Sequence, residues 1–351
     1  MLIKEFIGIF SIRDEPVISL SEHTLKTLLD GFAGKKIGVV GDLMVDKYYW
    51  GAVHRVSPEA PVPVVEVESE STRFGGAANV ANNIRSLGGT PYLVGLIGDD
   101  YPGSQFAEMV KSQGLDTSGI IVDSNRPTTI KTRVIAAGQH VVRIDNESKR
   151  DCPADLEMRI INAIRADLEA VDGIIIEDYN KGVVTRNVIH AVVDAAHRAG
   201  IPVTVDPKFN NFFEYRGVTV FKPNRREVED AMGERLKTPA DVERVGWKLL
   251  QTLGAENVLL TRSEEGMTLF ESKGEMTHLP TATDAVLDVS GAGDTVIATL
   301  TMALVAGAGI KEACALANCA GGVVVGSVGI VPILPDQLRA AALQTGRKDG
   351  R

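Results

Sequence analysis

Short apolar runs that each end in a polar residue constrain this chain most. KIGVVGD from Lys36, PYLVGLIGDD from Pro91, GIIIEDY from Gly173, PVTVDP from Pro202, VTVFKPN from Val218 and NVLLTRS from Asn257 are nearly continuous in apolar residues. Such runs suit strands covered on both faces, since a strand with one wet face alternates apolar and polar side chains. Between them lie stretches of helical period: Ala77–Leu87, Gln105–Gln113, Ala154–Ala170, Arg186–Arg198 and Pro239–Leu253. Strand and helix in repeated alternation predict an α/β fold, a doubly wound and mainly parallel sheet flanked by helices. Asp42, Asp99, Asp178, Asp206 and Asn224 stand where parallel strands would end. Each could be a turn or cap residue, yet together they point to one cleft, because open α/β sheets bind ligands at that edge.

Two segments break the rhythm. Residues 47–74 are rich in Val, Pro and aromatics without a helical period, and residues 120–145 again read as strands joined by turns. Neither fits a doubly wound core, so both are expected in a small β-sheet over one edge of it, as a lid or a dimer contact. Residues 1–34 read as an N-terminal extension with one amphipathic helix, roughly Ser21 to Phe32, capped by the serine. Residues 35–345 are then the main domain.

Charge and cysteine usage exclude several classes. A formal net charge of −9 over 351 residues argues against nucleic acid or an anionic membrane as the main partner. Cys152, Cys314 and Cys319 form no CxxC pair and no even-numbered framework, as suits a reducing compartment. The first residues lack a signal-peptide pattern, and no apolar run reaches membrane-spanning length. A cytoplasmic enzyme of small molecules is expected.

Two glycine turns carry the chemistry. DVSGAGD, Asp288 to Asp294, runs straight into the apolar segment TVIATLTMALVAGAG. A glycine turn opening a helix presents free N–H groups within the positive end of the helix dipole, which makes an anion site. A carboxylate there, Asp294, would repel phosphate unless it had a task of its own. General base beside a phosphoryl group in flight is the task that fits; a helix cap is the plainer alternative. FGGAANVANNIRSLGG, Phe74 to Gly89, sets Gly75 and Gly76 directly before a second helix, whose Asn79 could bond a hydroxyl.

In this order, the two turns resemble the two signatures of the ribokinase-like carbohydrate kinases, the PfkB family, and the resemblance spans about residues 36–340. It implies ATP-dependent phosphorylation of a sugar or nucleoside hydroxyl. Asp294 would be the catalytic base, with the N–H groups of Gly291, Ala292 and Gly293 as the anion hole and Ser290 where the family usually has Thr. KPNRRE, Lys222 to Glu227, matches the family's Asn-x-x-Glu element. By that match Asn224 and Glu227 would organise Mg²⁺ through water, with Lys222 on the nucleotide side. Thr261, Gly266 and Asn318 resemble nucleotide-contacting positions. Asp42, Asp46, Gly75, Gly76 and Asn79 resemble the binders of the acceptor's hydroxyls. A monovalent cation near Asp288 is conceivable on the same grounds.

Two narrower segments, VSPEAPVPVVEVE from Val56 and EDYNKGVV from Glu177, look like the bacterial kinases of D-glycero-D-manno-heptose 7-phosphate, which make the 1,7-bisphosphate for lipopolysaccharide heptose. A substrate that already bears phosphate needs a cationic recess, for which Arg143, Lys181 and Lys208 are candidates beside Asp178. Bifunctional relatives carry a His-x-Gly-His nucleotidyltransferase motif. None occurs before Arg351, so the kinase step alone is expected, in a homodimer joined through lid strands. A kinase of another sugar, sugar phosphate or nucleoside is the nearest rival. A dinucleotide oxidoreductase would need Gly-x-Gly-x-x-Gly after the first strand, where GDLMVD stands. A nucleotide or sugar sensor on the same fold is the remaining alternative.

Overall fold

The computed structural model describes residues 18, 20–283 and 286–348, with side chains through residue 345. Of the expected extension, the described part is helix α1 (Glu22–Asp30), whose first turn is closed by Ser21 accepting the Thr24 N–H at 3.0 Å. The helix ends two residues before the expected Phe32, residues 31–34 form a turn, and the part of that expectation before residue 18, with residue 19, lies outside the described residues.

The chain then alternates as the apolar runs require. Strand β1 (Lys36–Gly41) leads into a long hairpin, β2 (Leu43–Val56) and β3 (Pro63–Gly76), and then helix α2 (Ala77–Ser86). Strand β4 (Thr90–Gly98), helix α3 (Tyr101–Ser112) and strand β5 (Ile120–Asp123) follow, and a second hairpin comprises β6 (Thr129–Ala136) and β7 (Gln139–Asn146). Next come α4 (Ala154–Asp167), β8 (Gly173–Glu177), α5 (Arg186–Ala199), β9 (Val203–Asp206), β10 (Val220–Phe221), α6 (Arg225–Met232) and α7 (Pro239–Leu253). The chain closes with β11 (Asn257–Thr261), β12 (Met267–Glu271), β13 (Met276–Leu279), α8 (Ala292–Val305), α9 (Ile310–Val324) and α10 (Pro335–Lys348).

Nine strands form one sheet in the order β13-β12-β11-β10-β9-β8-β1-β4-β5, parallel from β11 through β5. Alternate side chains of one strand feed opposite layers. Ile175 of β8 packs in the core with α2, α8 and α9, while Ile174 and Ile176 pack in the core with α4, α5 and α7. Every residue of β8 and β9 is buried, which is why their sequences read as unbroken apolar runs. The fold is the doubly wound α/β architecture that the alternation predicts.

The segments without helical period form a separate four-stranded sheet, β3-β2-β6-β7. One boundary is corrected: Ile120–Asp123, expected in that small sheet, pairs instead with β4 at the edge of the large one. The run from Val218 shrinks to two paired residues, Val220 and Phe221, because Pro223 has no N–H to continue a ladder. The antiparallel edge of β12 and β13 was not legible from periodicity. It folds back through Gly266 at φ +78°, where an added Cβ would lie 2.1 Å from the Leu279 carbonyl oxygen. No helix among the described residues is long and apolar enough to cross a membrane.

Candidate functional site

Parallel pairing in register sets the carboxyl ends of three strands side by side: Gly41 opposite Glu177, and Glu177 opposite Asp206. Neighbouring strands lie about 4.8 Å apart, so charged residues there must share one buried patch. Helix α8 points its first turn at this patch. Gly291 caps it at φ +76° with no room for a Cβ beside the Asn79 amide. The first N–H groups of a helix have no partner within it, although Ala292 donates to the Val289 carbonyl at 3.2 Å. A Cβ on Gly293 would sit 3.2 Å from an Asp206 carboxylate oxygen and 3.6 Å from Lys222 Nζ. The glycine turn therefore lies directly against a buried Lys222–Asp206 ion pair of 2.8 Å.

Asp294 is buried at that turn, and both its oxygens are engaged. Asn79 of α2 donates to Oδ2 at 2.7 Å and the Tyr179 hydroxyl donates to Oδ1 at 2.8 Å. Loss of hydration pushes this carboxyl up to about 6, against the pull of those two hydrogen bonds. Such a group is ionised at neutral pH yet basic enough to accept a proton. Asn79 is held in turn by α2 and α8: Asn83 donates to its carbonyl and receives the Thr295 hydroxyl and the Ile333 N–H.

The strand ends carry more carboxylates than the motifs announced. Glu177, Asp206 and Asp294 are all buried, and one ligand oxygen from each lies within 4.8 Å of the others. Lys208 spans Glu227 at 2.5 Å and Asp206 at 3.6 Å, with its ammonium 5.0 Å from the Tyr179 ring centre. Sequence reading assigned Lys208 to the acceptor's phosphate; in the structure it pairs with Asp206 and Glu227. Asn224 and Glu227 form a capping box on α6, with reciprocal bonds of 2.9 and 2.8 Å, and the second Glu227 oxygen faces Lys208. The capping box thus uses one Glu227 oxygen and leaves the other to Lys208.

Other candidates have structural partners. Asp42 accepts the backbone N–H groups of Tyr179, Lys181 and Val183 at 2.7, 3.1 and 3.2 Å. Its carboxylate anchors the loop after β8. Asp178 accepts the Tyr215 hydroxyl and the Asn180 N–H, each at 2.7 Å, and burial pushes it up to about 7. Gly76, at φ +56°, lets α2 start where a Cβ would strike the Asp42 carbonyl, and Gly75 leaves space that an Asp46 oxygen fills. Thr261 continues the edge by a bridge to Asn224, and Asn318 bonds the Pro280 carbonyl at 2.7 Å. Ser290 donates its N–H to Asp288, whose other oxygen receives the Gly329 N–H.

One face of the small sheet concentrates charge. Asp46, Tyr48, Lys131, Arg133, Arg143 and Asp145 share it by register. Asp46 is buried against Arg133, and Arg133 and Arg73 both stack on Tyr48. Tyr48 and Arg73 contact the backbone of Ile330, which also abuts Gly291. Lys181 and Lys131 meet at Glu147, 2.8 and 3.3 Å away. Arg143 is exposed and paired with Asp145 on the same strand. Sequence reasoning missed Tyr179, Glu177, Arg73, Lys131 and Arg133. For Glu177 the signal was present: a charge inside a run otherwise apolar enough for a fully buried strand.

Residues 35–337 match the model of the pfkB family carbohydrate kinases. The chain is 44% identical over 322 residues to the bifunctional protein HldE of Trichlorobacter lovleyi, covering 92% of this chain and 66% of that protein. It is 43% identical over 295 residues to the bifunctional protein HldE of Helicobacter pylori, with shares of 84% and 64%. It thus spans just under two thirds of the length of these relatives. Among solved structures, phosphofructokinase-2 from Escherichia coli in complex with potassium superposes at a TM-score of 0.73 with 16% identity, covering 89% of this chain and 99% of that one. Arabidopsis thaliana ribokinase complexed with ribose and ATP gives 0.68 with 20% identity, covering 90% and 99%. At those identities the likeness concerns the fold.

Replacing Asp42 by Ala strands three N–H groups, two of them buried. Charge-assisted bonds contribute roughly 1.5–3 kcal/mol each, so Asp42→Ala is expected to lower unfolding stability by about 3 kcal/mol or more. Hydrogen exchange at Tyr179, Lys181 and Val183 should accelerate with it. Unchanged protection at those amides would remove Asp42 from the role of anchor.

Proposed function

The chain belongs to the pfkB family of carbohydrate kinases, and on that premise we propose that it transfers the γ-phosphate of ATP to the anomeric hydroxyl of D-glycero-D-manno-heptose 7-phosphate. The observation that carries the chemistry is the buried Asp294 carboxylate beside a glycine turn that itself rests on Lys222. Phosphoryl transfer asks a protein for positioning, charge neutralisation and removal of one proton. Asp294 takes the hydroxyl proton. The N–H groups of Gly291, Ala292 and Gly293 face the transferring phosphoryl oxygens, and Ala292 must first leave the Val289 carbonyl. The small sheet excludes water that would otherwise consume ATP.

The buried carboxylates fit a hard divalent cation, since the Glu177 oxygens are enclosed without a hydrogen-bond partner. Asn224 and Glu227 would hold Mg²⁺ through water, and it would supply charge neutralisation on the phosphoryl oxygens. A monovalent cation beside Asp288 belongs to the same reading. Thr261, Gly266 and Asn318 are proposed on the nucleotide side, and Asp46, Gly75, Gly76 and Asn79 on the acceptor side.

The heptose assignment draws support from the Val56–Glu68 and Glu177–Val184 segments and from the identity to the bifunctional relatives. A phosphate on the acceptor suits the cations on the inner face of the small sheet, namely Lys131, Arg133 and Arg143, together with Lys181. Their carboxylate partners Asp46, Asp145 and Glu147 hold them in place until an anion competes for them. We propose further that two copies pair through the opposite face of that sheet. It exposes Val142 and Ile144, a solvent-facing apolar pair that calls for a cover.

Asp294→Asn is expected to lower kcat by about 10²- to 10⁴-fold, the range for a general base, while ATP affinity stays within about threefold. Joint loss of binding and turnover would make Asp294 structural. Rates across a panel of free and phosphorylated sugars test the acceptor; free hexoses outpacing the heptose phosphate would end that assignment and leave the kinase class standing.

The acid limb of kcat should lie near pH 6, because protonation of Asp294 removes the base. The Tyr179 hydroxyl favours the ionised carboxylate, so Tyr179→Phe raises the Asp294 pKa and moves the limb to higher pH. A limb that stays in place would detach Tyr179 from the base. For the assembly, sedimentation should give a dimer that Ile144→Asp dissociates; a monomeric wild type rejects it.

A further inference from the structure

Arg73 has a carboxylate opposite it that it does not use. On β3 it stands in register with Asp46 of β2, but the Asp46 carboxylate pairs with Arg133. Its own Nη1 donates to the Ile330 carbonyl at 2.6 Å, 257 residues further along the chain, in the segment that joins α9 to α10. The Ile330 N–H donates to the Tyr48 hydroxyl at 3.4 Å. Tyr48 is fully buried, and the guanidinium groups of Arg73 and Arg133 lie 5.2 and 5.3 Å from its ring centre. Two strands of the small sheet thus grip both backbone polar groups of one residue outside that sheet.

Ile330 is joined in turn to the glycine turn that opens α8. Its side chain packs on Gly291, where a Cβ would lie 3.3 Å from each of its two branches and 2.9 Å from the Asn79 amide nitrogen. The residue before it, Gly329, donates its N–H to Asp288, whose other oxygen takes the Ser290 N–H, each at 2.9 Å. Gly329 has φ +73°, and a Cβ on it would lie 2.7 Å from Arg73 Nη1, so the close approach of the arginine needs a glycine there. The turn is held between Asn79 on one side and Ile330 on the other, and Ile330 takes its place from Arg73 and Tyr48.

We propose that Arg73 is a positioning residue for phosphoryl transfer, acting through Ile330 to aim the N–H groups of Gly291, Ala292 and Gly293 at the transferring phosphoryl group. Backbone donors stabilise a transition state when they already point at the charge that develops, without rearranging during the reaction. Glycine supplies the shape of this turn but no rigidity of its own, so the stiffness has to come from its neighbours. A guanidinium suits the task better than an ammonium, because its plane stacks on Tyr48 while its edge donates to the carbonyl. One side chain thereby fixes ring and segment together. The grip comes from the small sheet, so the seating of that sheet and the aim of the turn are set by the same contact. This deepens the kinase reading and rests on it for the phosphoryl group, while the choice of sugar has no bearing on it.

The test joins kinetics to hydrogen exchange on the full chain. With the sugar that the wild type turns over fastest, Arg73→Ala is expected to lower kcat about 10- to 100-fold, as a donor misplaced by about 1 Å would, with both KM values within about threefold. Arg73→Lys keeps a donor for the carbonyl and should recover part of the loss. A double-mutant cycle then asks whether Arg73 works through Ile330. Ile330→Ala removes the side chain that packs on Gly291, and in that background Arg73→Ala should cost less than about threefold more. Losses that simply multiply overturn the proposal, and so does a raised sugar KM at unchanged kcat. Without any ligand, exchange at the Ser290 and Gly329 amides should run at least about fivefold faster in Arg73→Ala, with the β8 amides unchanged. Equal exchange at those two amides overturns the proposal. Should Arg73→Ala fail to fold, Arg73→Gln replaces it in every arm. A wild type that phosphorylates no sugar ends the kinase reading and this role together; failure of Arg73 alone leaves wild-type turnover intact.

Discussion

In-register parallel pairing of β1, β8 and β9 is the constraint from which the site follows. It brings Gly41, Glu177 and Asp206 abreast at one edge of the sheet, at about 4.8 Å per strand. Two carboxylates so placed, with Asp294 added from α8, repel one another and resist burial. The chain meets that cost with Lys222 and Lys208 and with the hydrogen bonds of Asn79 and Tyr179. Asn79, Tyr179 and Lys222 also favour the ionised form of Asp294, the base proposed above.

The glycines at the two turns act through space. Gly291 and Gly293 let α8 begin against Asn79 and Asp206, and Gly75 and Gly76 let β3 turn into α2 against Asp46 and the Asp42 carbonyl. A side chain at any of these positions would push the two helix ends away from the carboxylates. The two signature segments, far apart in sequence, are thereby joined at the single contact of Asn79 with Asp294.

The small sheet has two faces with different chemistry. Toward the cleft it carries alternating charges packed around Tyr48, with Arg73 and Arg133 on the ring. Away from it stand Val142 and Ile144, exposed on β7. Side chains along a strand alternate between its two faces, and Val142, Arg143, Ile144 and Asp145 of β7 follow that period of two, which is why those segments carried no helical signal.

Local pattern was enough for much of this protein. Unbroken apolar runs and their helical intervals specified a doubly wound α/β sheet, because burial on both faces leaves that mark on each strand separately. The segments DVSGAGD and FGGAANVANN specified two helices that open at glycine turns, with Gly291 and Gly76 at positive φ, because turn geometry needs glycine locally. What sequence could not specify is which partners each polar strand end takes. Asp42 and Asp178, identical in kind to Asp206, are spent on backbone and tyrosine partners that come from other elements. Lys208 points to Glu227, and Glu177 turns an unpartnered head group into the patch. Those outcomes depend on which strands neighbour one another and where helices abut them, a long-range property that only the assembled tertiary structure decides.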